Sequence, residues 1–180
     1  MKVPALESER LVYKPLTLKY LTQSYVDWLN DFDVYRYLET GGDYTLAKLK
    51  AYLSEVERKE IYFWAIHLRT SGRHIGNIKI DPIHDNNTIG EYGIMMGEKS
   101  EWGKGYSKEA TLRIIKFCFE VIGLKQISLG LVKENIVALN LYKKVGFEMA
   151  GEYRKGLNYH GQQCDYLRMV LHNREAGTIK

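Results

Sequence analysis

Residues 89–121 read IGEYGIMMGEKSEWGKGYSKEATLRIIKFCFEV, and a change of period inside this stretch decides the fold. Ile89 to Met96 has the length and the β-branched and aromatic content of a strand. Gly97 to Gly105 is a glycine-containing loop. Beyond it Ala110, Ile114, Phe117, Cys118 and Val121 recur at i, i+4, i+7, i+8 and i+11, which predicts an amphipathic helix with all five on its buried face. A strand that passes through glycines into a helix sets the first helical N–H groups beside backbone that a ligand can approach closely, which is the physics of a pyrophosphate cradle. Gly103-Lys104-Gly105-Tyr106-Ser107 is the candidate cradle. It is not a Walker A loop, because five residues rather than four separate Gly97 from Gly103-Lys104, and Gly105 follows where Ser or Thr belongs. Nor is it a dinucleotide fingerprint, since Lys108 stands in place of the third glycine. From spacing alone, an ordinary strand-to-helix turn is the competing reading.

Working outward, Arg10 to Pro15 reads as extended, and Leu18, Leu21, Tyr25, Trp28 and Leu29 recur at helical spacing, with a short turn at Val34 to Leu38. Thr45 is the expected N-cap of a further helix that buries Leu46, Leu49, Leu53 and Val56. Ile61 to Leu68 and Ile75 to Ile80 form a predicted hairpin about Thr70-Ser71-Gly72, and a turn at Asp85-Asn86-Asn87 leads into the strand at Ile89. Downstream, Gln126 to Val132 is a strand, and Asn135 caps a short helix with Ala138, Leu141, Tyr142 and Val145 on its apolar face. Gly146 and Phe147 close that helix as C′ and C″. Glu148 to Leu157 and Cys164 to Leu171 are expected to pair about His160-Gly161. The predicted fold is mixed α/β (α+β): helices first, an antiparallel meander, one βαβ-type crossover, then a strand-helix-hairpin, all in a single domain over residues 1–180.

The run Asn135-x-x-Ala138-x-x-x-Tyr142-x-x-x-Gly146-Phe147, about thirty residues after the glycine loop, adds the second motif. Together the two resemble the GNAT superfamily of acetyl-CoA-dependent N-acetyltransferases. Ser8-Glu9-Arg10-Leu11 and Trp28-Leu29-Asn30-Asp31 are similar to the branch that holds the Rim-type N-terminal acetyltransferases and the sugar-amine acetyltransferases. The resemblance implies a mainly antiparallel twisted sheet flanked by helices, with acetyl-CoA as co-substrate. Its glycine motif falls on Trp102 to Ser107, with Trp102 in place of the usual Gln or Arg and Ser107 in place of Gly or Ala. It places the backbone amides of Gly103, Lys104, Gly105, Tyr106, Ser107 and Lys108 on the pyrophosphate, and the backbone of Met95, Met96 and Gly97 along the pantetheine arm.

The same resemblance sets the thioester in a gap where the strand at Ile94 to Gly97 splays from the one at Ser128 to Val132, with Tyr142 the general acid beside the sulfur and Asn135 a cofactor contact. Pattern alone reads Tyr142 as a core aromatic and Asn135 as an N-cap, and Asn140 is open between a cofactor contact and a solvated position. Family members that acetylate protein N-termini carry a Glu base where this chain has Gly130, so Glu91 is the candidate base, with a surface ion pair or a water base as the alternatives. Trp28, Tyr35 and Tyr37 resemble the part of the fold that walls the acceptor site, with core packing as the alternative and the preferred reading for Trp28. The expected acceptor is a primary amine, either on a nucleotide-linked sugar or at a protein N-terminus. Fourteen tyrosines and the mild positive charge lean toward the sugar. A non-catalytic acyl-CoA-binding module is the competing reading from another class.

Composition excludes other classes. In 180 residues, 45% hydrophobic and 27% charged side chains mark a globular chain, and a net charge of +4 without a basic block argues against a nucleic-acid protein. Cys118 and Cys164 lack metal-ligand spacing, and the five histidines share none, so no metal is expected; both thiols read as reduced in a cytoplasmic protein. Lys116 and Glu120 interrupt the longest apolar run, so no membrane span is expected. A homodimer is left open.

Overall fold

The computed structural model describes residues 3–59, 61–84, 86 and 88–174. Short strand β1 (Leu6–Glu7) pairs with β2 (Leu11–Pro15), which pairs in turn with β3 (Tyr62–Leu68). β3, β4 (His74–His84) and β5 (Ile89–Met96) form the predicted antiparallel meander. Asp85 and Asn87 of the predicted turn lie outside the described residues. After β5 the chain crosses over through helix α4 (Tyr106–Phe117) to β6 (Gln126–Val132), and helix α5 (Ile136–Val145) precedes the hairpin of β7 (Glu148–Tyr159) and β8 (Gln162–His172). β8 inserts beside β6, giving one eight-stranded sheet in the order β1-β2-β3-β4-β5-β6-β8-β7.

All neighbouring strands are antiparallel except β5 and β6. That pair holds only from Ile89 to Glu91 against Gln126 to Ser128. Beyond it the two strands part, leaving β5 from Tyr92 and β6 from Leu129 without each other while β6 stays paired with β8. The sheet is therefore split at its centre, next to the end of β5 where the glycine loop begins.

Two apolar layers cover the sheet. On one face Ile78, Tyr92, Ile114, Leu129, Tyr142 and Phe147 pack between the strands and α4 and α5. On the other, helices α1 (Gln23–Asn30) and α3 (Leu46–Lys59) bury Tyr25, Leu29, Leu49 and Leu53 against Phe63 and Ala65 of β3. The expected first helix divides in two, because the Thr22 side chain accepts from Tyr25 N–H and starts α1 only after a 3-10 turn at Leu18–Tyr20. The short turn becomes α2 (Phe32–Tyr35), capped by Asp31. Thr45 does accept from the Lys48 amide at 3.2 Å, but Leu46 is 45% exposed, since the first turn of α3 overhangs the layer. Val121 is likewise 69% exposed: Cys118–Ile122 is a wider π turn, which breaks the 3.6-residue period and rotates Val121 off the buried face.

Candidate active site

Gly103 and Gly105 sit at φ 76° and 82°, the left-handed region where a side chain is strained. No atom lies within 4 Å of where a Cβ on Gly103 would project, so this side of the loop is open to a ligand. Gly105 is the N-cap of α4 and brings no capping side chain, which leaves the helix's first amides, Tyr106 to Lys108, for an anion.

Charge pairs hold the loop in shape from both sides. Buried Glu101 binds Arg73 and lies 2.9 Å from Lys104 Nζ. Arg10, remote in sequence, donates from Nη1 to the Lys104 carbonyl at 2.9 Å and from Nε to Glu109 at 2.7 Å, with its guanidinium 4.6 Å over the Tyr106 ring. Burial opposes the charge on Glu109, but hydrogen bonds from the Ser8 hydroxyl and from the Arg10 amide and guanidinium outweigh it and hold the carboxyl below its usual value. The Ser8-to-Leu11 stretch thus acts as the brace of the cradle, a role that its sequence alone does not show.

Along β5 the cradle continues into the gap. Gly97 N–H donates to the Ile75 carbonyl on β4 at 3.0 Å, so strand alternation turns the backbone of Met95 toward β4 as well, and that of Met96 and Ile94 toward the gap. Of the three residues expected along the pantetheine arm, only Met96 therefore has gap-facing backbone, and Ile94 joins it. The Met96 carbonyl also accepts from the Trp102 indole at 2.9 Å, which ties the loop to the strand.

Tyr142 is 7% exposed and packs edge-on against Tyr92 at 5.8 Å, on the α4 and α5 face beside the gap. Burial alone pushes its hydroxyl well above the ordinary tyrosine value, and no hydrogen bond contributes. Asn135 caps α5 through Oδ1, which accepts from the Ala138 amide at 3.2 Å. Asn140 is exposed and lies two residues from Tyr142, about 200° round the helix, so the two cannot face the gap together.

Glu91 is on the opposite face of the sheet from Tyr142. Arg168 donates to it from both Nη atoms at 2.8 Å, and the Ser128 hydroxyl donates at 2.8 Å. With both carboxylate oxygens engaged by these three donors, the structure favours the ion-pair reading of Glu91 over the base. On this same face Trp28 lies over Gly97, where a Cβ would fall inside the indole, and its ring is 4.8 Å from His74. Tyr35 meets His160 of the β7–β8 turn at 5.0 Å, and the Tyr37 hydroxyl donates to the Glu134 carbonyl at 3.3 Å. The α2 segment therefore spans the split, joining the β5 side to the β6 side above the gap. No group of three metal-ligating side chains occurs among the described residues.

A family-wide sequence profile described as an acetyltransferase (GNAT) domain matches residues 10–148. The chain belongs to the GNAT family. The match takes in the cradle, the split strands and Tyr142, so this GNAT chain is an acetyl-CoA-dependent acyltransferase. It is 26% identical over 128 residues to a spermidine N(1)-acetyltransferase of Escherichia coli strain K12, covering 67% of this chain and 68% of that one. Among solved structures it resembles spermidine N-acetyltransferase from Vibrio cholerae in complex with CoA and spermine, with a TM-score of 0.84 at 18% identity over 94% of this chain and 99% of that one. A ribosomal-protein-S5-alanine acetyltransferase from Vibrio fischeri superposes with a TM-score of 0.81 at 17% identity, covering 96% and 98%. These structural likenesses show the GNAT fold.

Proposed function

We propose that acetyl-CoA is held by the amides of Gly103 to Lys108 and by the gap-facing backbone of Met96 and Ile94, while a primary amine enters from the α1 and α3 face. When bound, acetyl-CoA supplies an activated acetyl thioester. The residues fit it: the left-handed glycines leave an open, uncapped helix start, and the strand edge that follows is unpaired. Asn135, with Oδ1 occupied by its cap, would meet the cofactor through Nδ2. A neutral amine nitrogen forms its bond to the acetyl carbon as the carbon–sulfur bond breaks. Tyr142, kept protonated by burial, gives its proton to the departing sulfur and regains one from water, and the amine releases its surplus proton to solvent. Placing the acid on one face of the split sheet and the amine on the other sets attack and departure on opposite sides.

For the acceptor we favour an amino group on a nucleotide-linked sugar, and one observation carries the choice. At the α1–α2 junction Lys99 lies 2.6 Å from Asp31 and 3.3 Å from Asp33, so these two carboxylates already share one ammonium and their pull on a polycation is reduced. Beside them Arg36 sits 5.1 Å over the Tyr37 ring, and Phe32 and Tyr35 add aromatic surface, which suits a base and a diphosphate. A protein N-terminus is the second reading, supported by the fold shared with the ribosomal-protein enzyme. Cytoplasmic residence fits both acceptors. The test is a specificity panel of a nucleotide-linked 4-amino sugar, spermidine and an Ala-starting peptide. The reading expects the sugar to show the highest kcat/KM, reduced by added salt; efficient acetylation of spermidine or of the peptide with none of the sugar contradicts it.

A further inference from the structure

Gly130 is the first residue of β6 beyond the split whose direction is toward the α1 and α3 face, since Ser128 pairs with Glu91 there and Leu129 points into the opposite layer. A Cβ on Gly130 would fall inside the hydroxyl of Tyr166, which reaches across from β8. The glycine is therefore a vacancy that the tyrosine fills, and the Tyr166 oxygen stands where a side chain from β6 would begin.

That oxygen is held firmly. Arg168 Nη1 donates to it at 3.3 Å, and the guanidinium is itself fixed by Glu91 and by the Ser128 hydroxyl, which lies 3.3 Å from Nη2. With one lone pair facing Arg168, the oxygen keeps a second for another donor. The Tyr153 ring packs beside the Tyr166 ring, 6.4 Å between centroids. Tyr166 is only partly buried, so a molecule at the gap can reach its hydroxyl.

The geometry points to Tyr166 Oη as the contact for the reactive nitrogen of the acceptor, accepting one amine N–H so that the nitrogen lone pair is turned toward the acetyl carbon. This assignment rests on the proposed entry of the amine from the α1 and α3 face. It also gives the Glu91–Arg168 pair a purpose: the pair positions the phenol rather than moving a proton. Tyr142 and Tyr166 then divide the work across the sheet, one serving the leaving sulfur and the other the incoming nitrogen.

The test uses the full chain, acetyl-CoA and whichever amine of the panel the wild type acetylates. Tyr166→Phe removes only the oxygen and is expected to lower kcat/KM for the amine about tenfold or more, with acetyl-CoA affinity by calorimetry changed less than about twofold. Gly130→Ala keeps the oxygen but displaces it, and is expected to give the same selective loss. Combined with Tyr166→Phe it should add little beyond the single variants. If Gly130→Ala does not fold, Tyr166→Phe alone decides. Wild-type kcat/KM in Tyr166→Phe overturns the assignment, as does an equal loss of acetyl-CoA affinity, which marks a packing residue. A wild type inactive toward every amine overturns the acceptor reading itself and this contact with it.

Discussion

At the scale of single residues, burial assigns the proton donor. Among the described residues Tyr142 has no hydrogen-bond partner to stabilise its anion, and burial keeps it protonated throughout the neutral and mildly alkaline range. Tyr142→Phe is expected to lower kcat by about 10²-fold or more while acetyl-CoA affinity by calorimetry changes less than about threefold. Equal losses in both would make Tyr142 a packing residue. Because the acid remains protonated well above pH 9, kcat/KM in the wild type should rise with pH as the acceptor amine loses its proton. No alkaline decline should appear before the ordinary tyrosine value of about 10. A fall beginning near pH 8 in a pH–rate profile would contradict this. Single residues were also where sequence was least legible. The side of β5 that Gly97 faces depends on pairing parity, and a shift of one residue reverses it. Asn140 shares a helix with Tyr142, and only the helical angle separates their faces. Tyr166 is 36 positions from Gly130, and the one signal for their contact was an isolated glycine inside a strand.

At the scale of elements, the glycine loop and α4 were legible because the period of apolar residues changes across them and because left-handed backbone favours glycine. Gly105→Val sets a β-branched residue at φ 82° on the cradle's open edge. It is expected to weaken acetyl-CoA binding about tenfold or more in calorimetry while the far-ultraviolet dichroism keeps its helical signal. Unchanged affinity would remove the cradle from this loop. The brace behind it was not legible, since Arg10 and Glu109 are 99 positions apart. The β4 edge carries a second consequence. Burial lowers the His74 imidazole to about 4, against about 6.5 unfolded, with Asn77 and the Gly76 carbonyl holding its Nε2. The unfolded chain thus binds this proton first, so stability is full above the unfolded value and is lost as pH falls from about 6.5 toward 4, by roughly 2–3 kcal/mol from this site. Denaturant midpoints should fall over that window, and less steeply in His74→Gln. Parallel slopes in the two proteins would discount His74.

At the scale of the molecule, the element order was legible almost throughout, because each strand and helix announces itself by local periodicity and caps. The separation of β5 and β6 after Glu91, which creates the site, was legible only through the resemblance, which implies a gap between the strand at Ile94 to Gly97 and the one at Ser128 to Val132. Tyr92, Tyr142 and Phe147 pack on one side of the sheet there, and Tyr166 and Arg168 lie on the other. A split sheet with a cradle at its mouth is suited to transfer, and a protein that only sensed acyl-CoA would need the cradle but not the acid. The most direct measurement is therefore amine-dependent CoA release from acetyl-CoA, with the acetylated product weighed by mass spectrometry, over the sugar, polyamine and peptide panel. The account predicts stoichiometric CoA and an amine heavier by one acetyl group, with both lost in Tyr142→Phe. Tight acetyl-CoA binding with no acetylated amine from any acceptor would contradict it and leave an acyl-CoA-binding module.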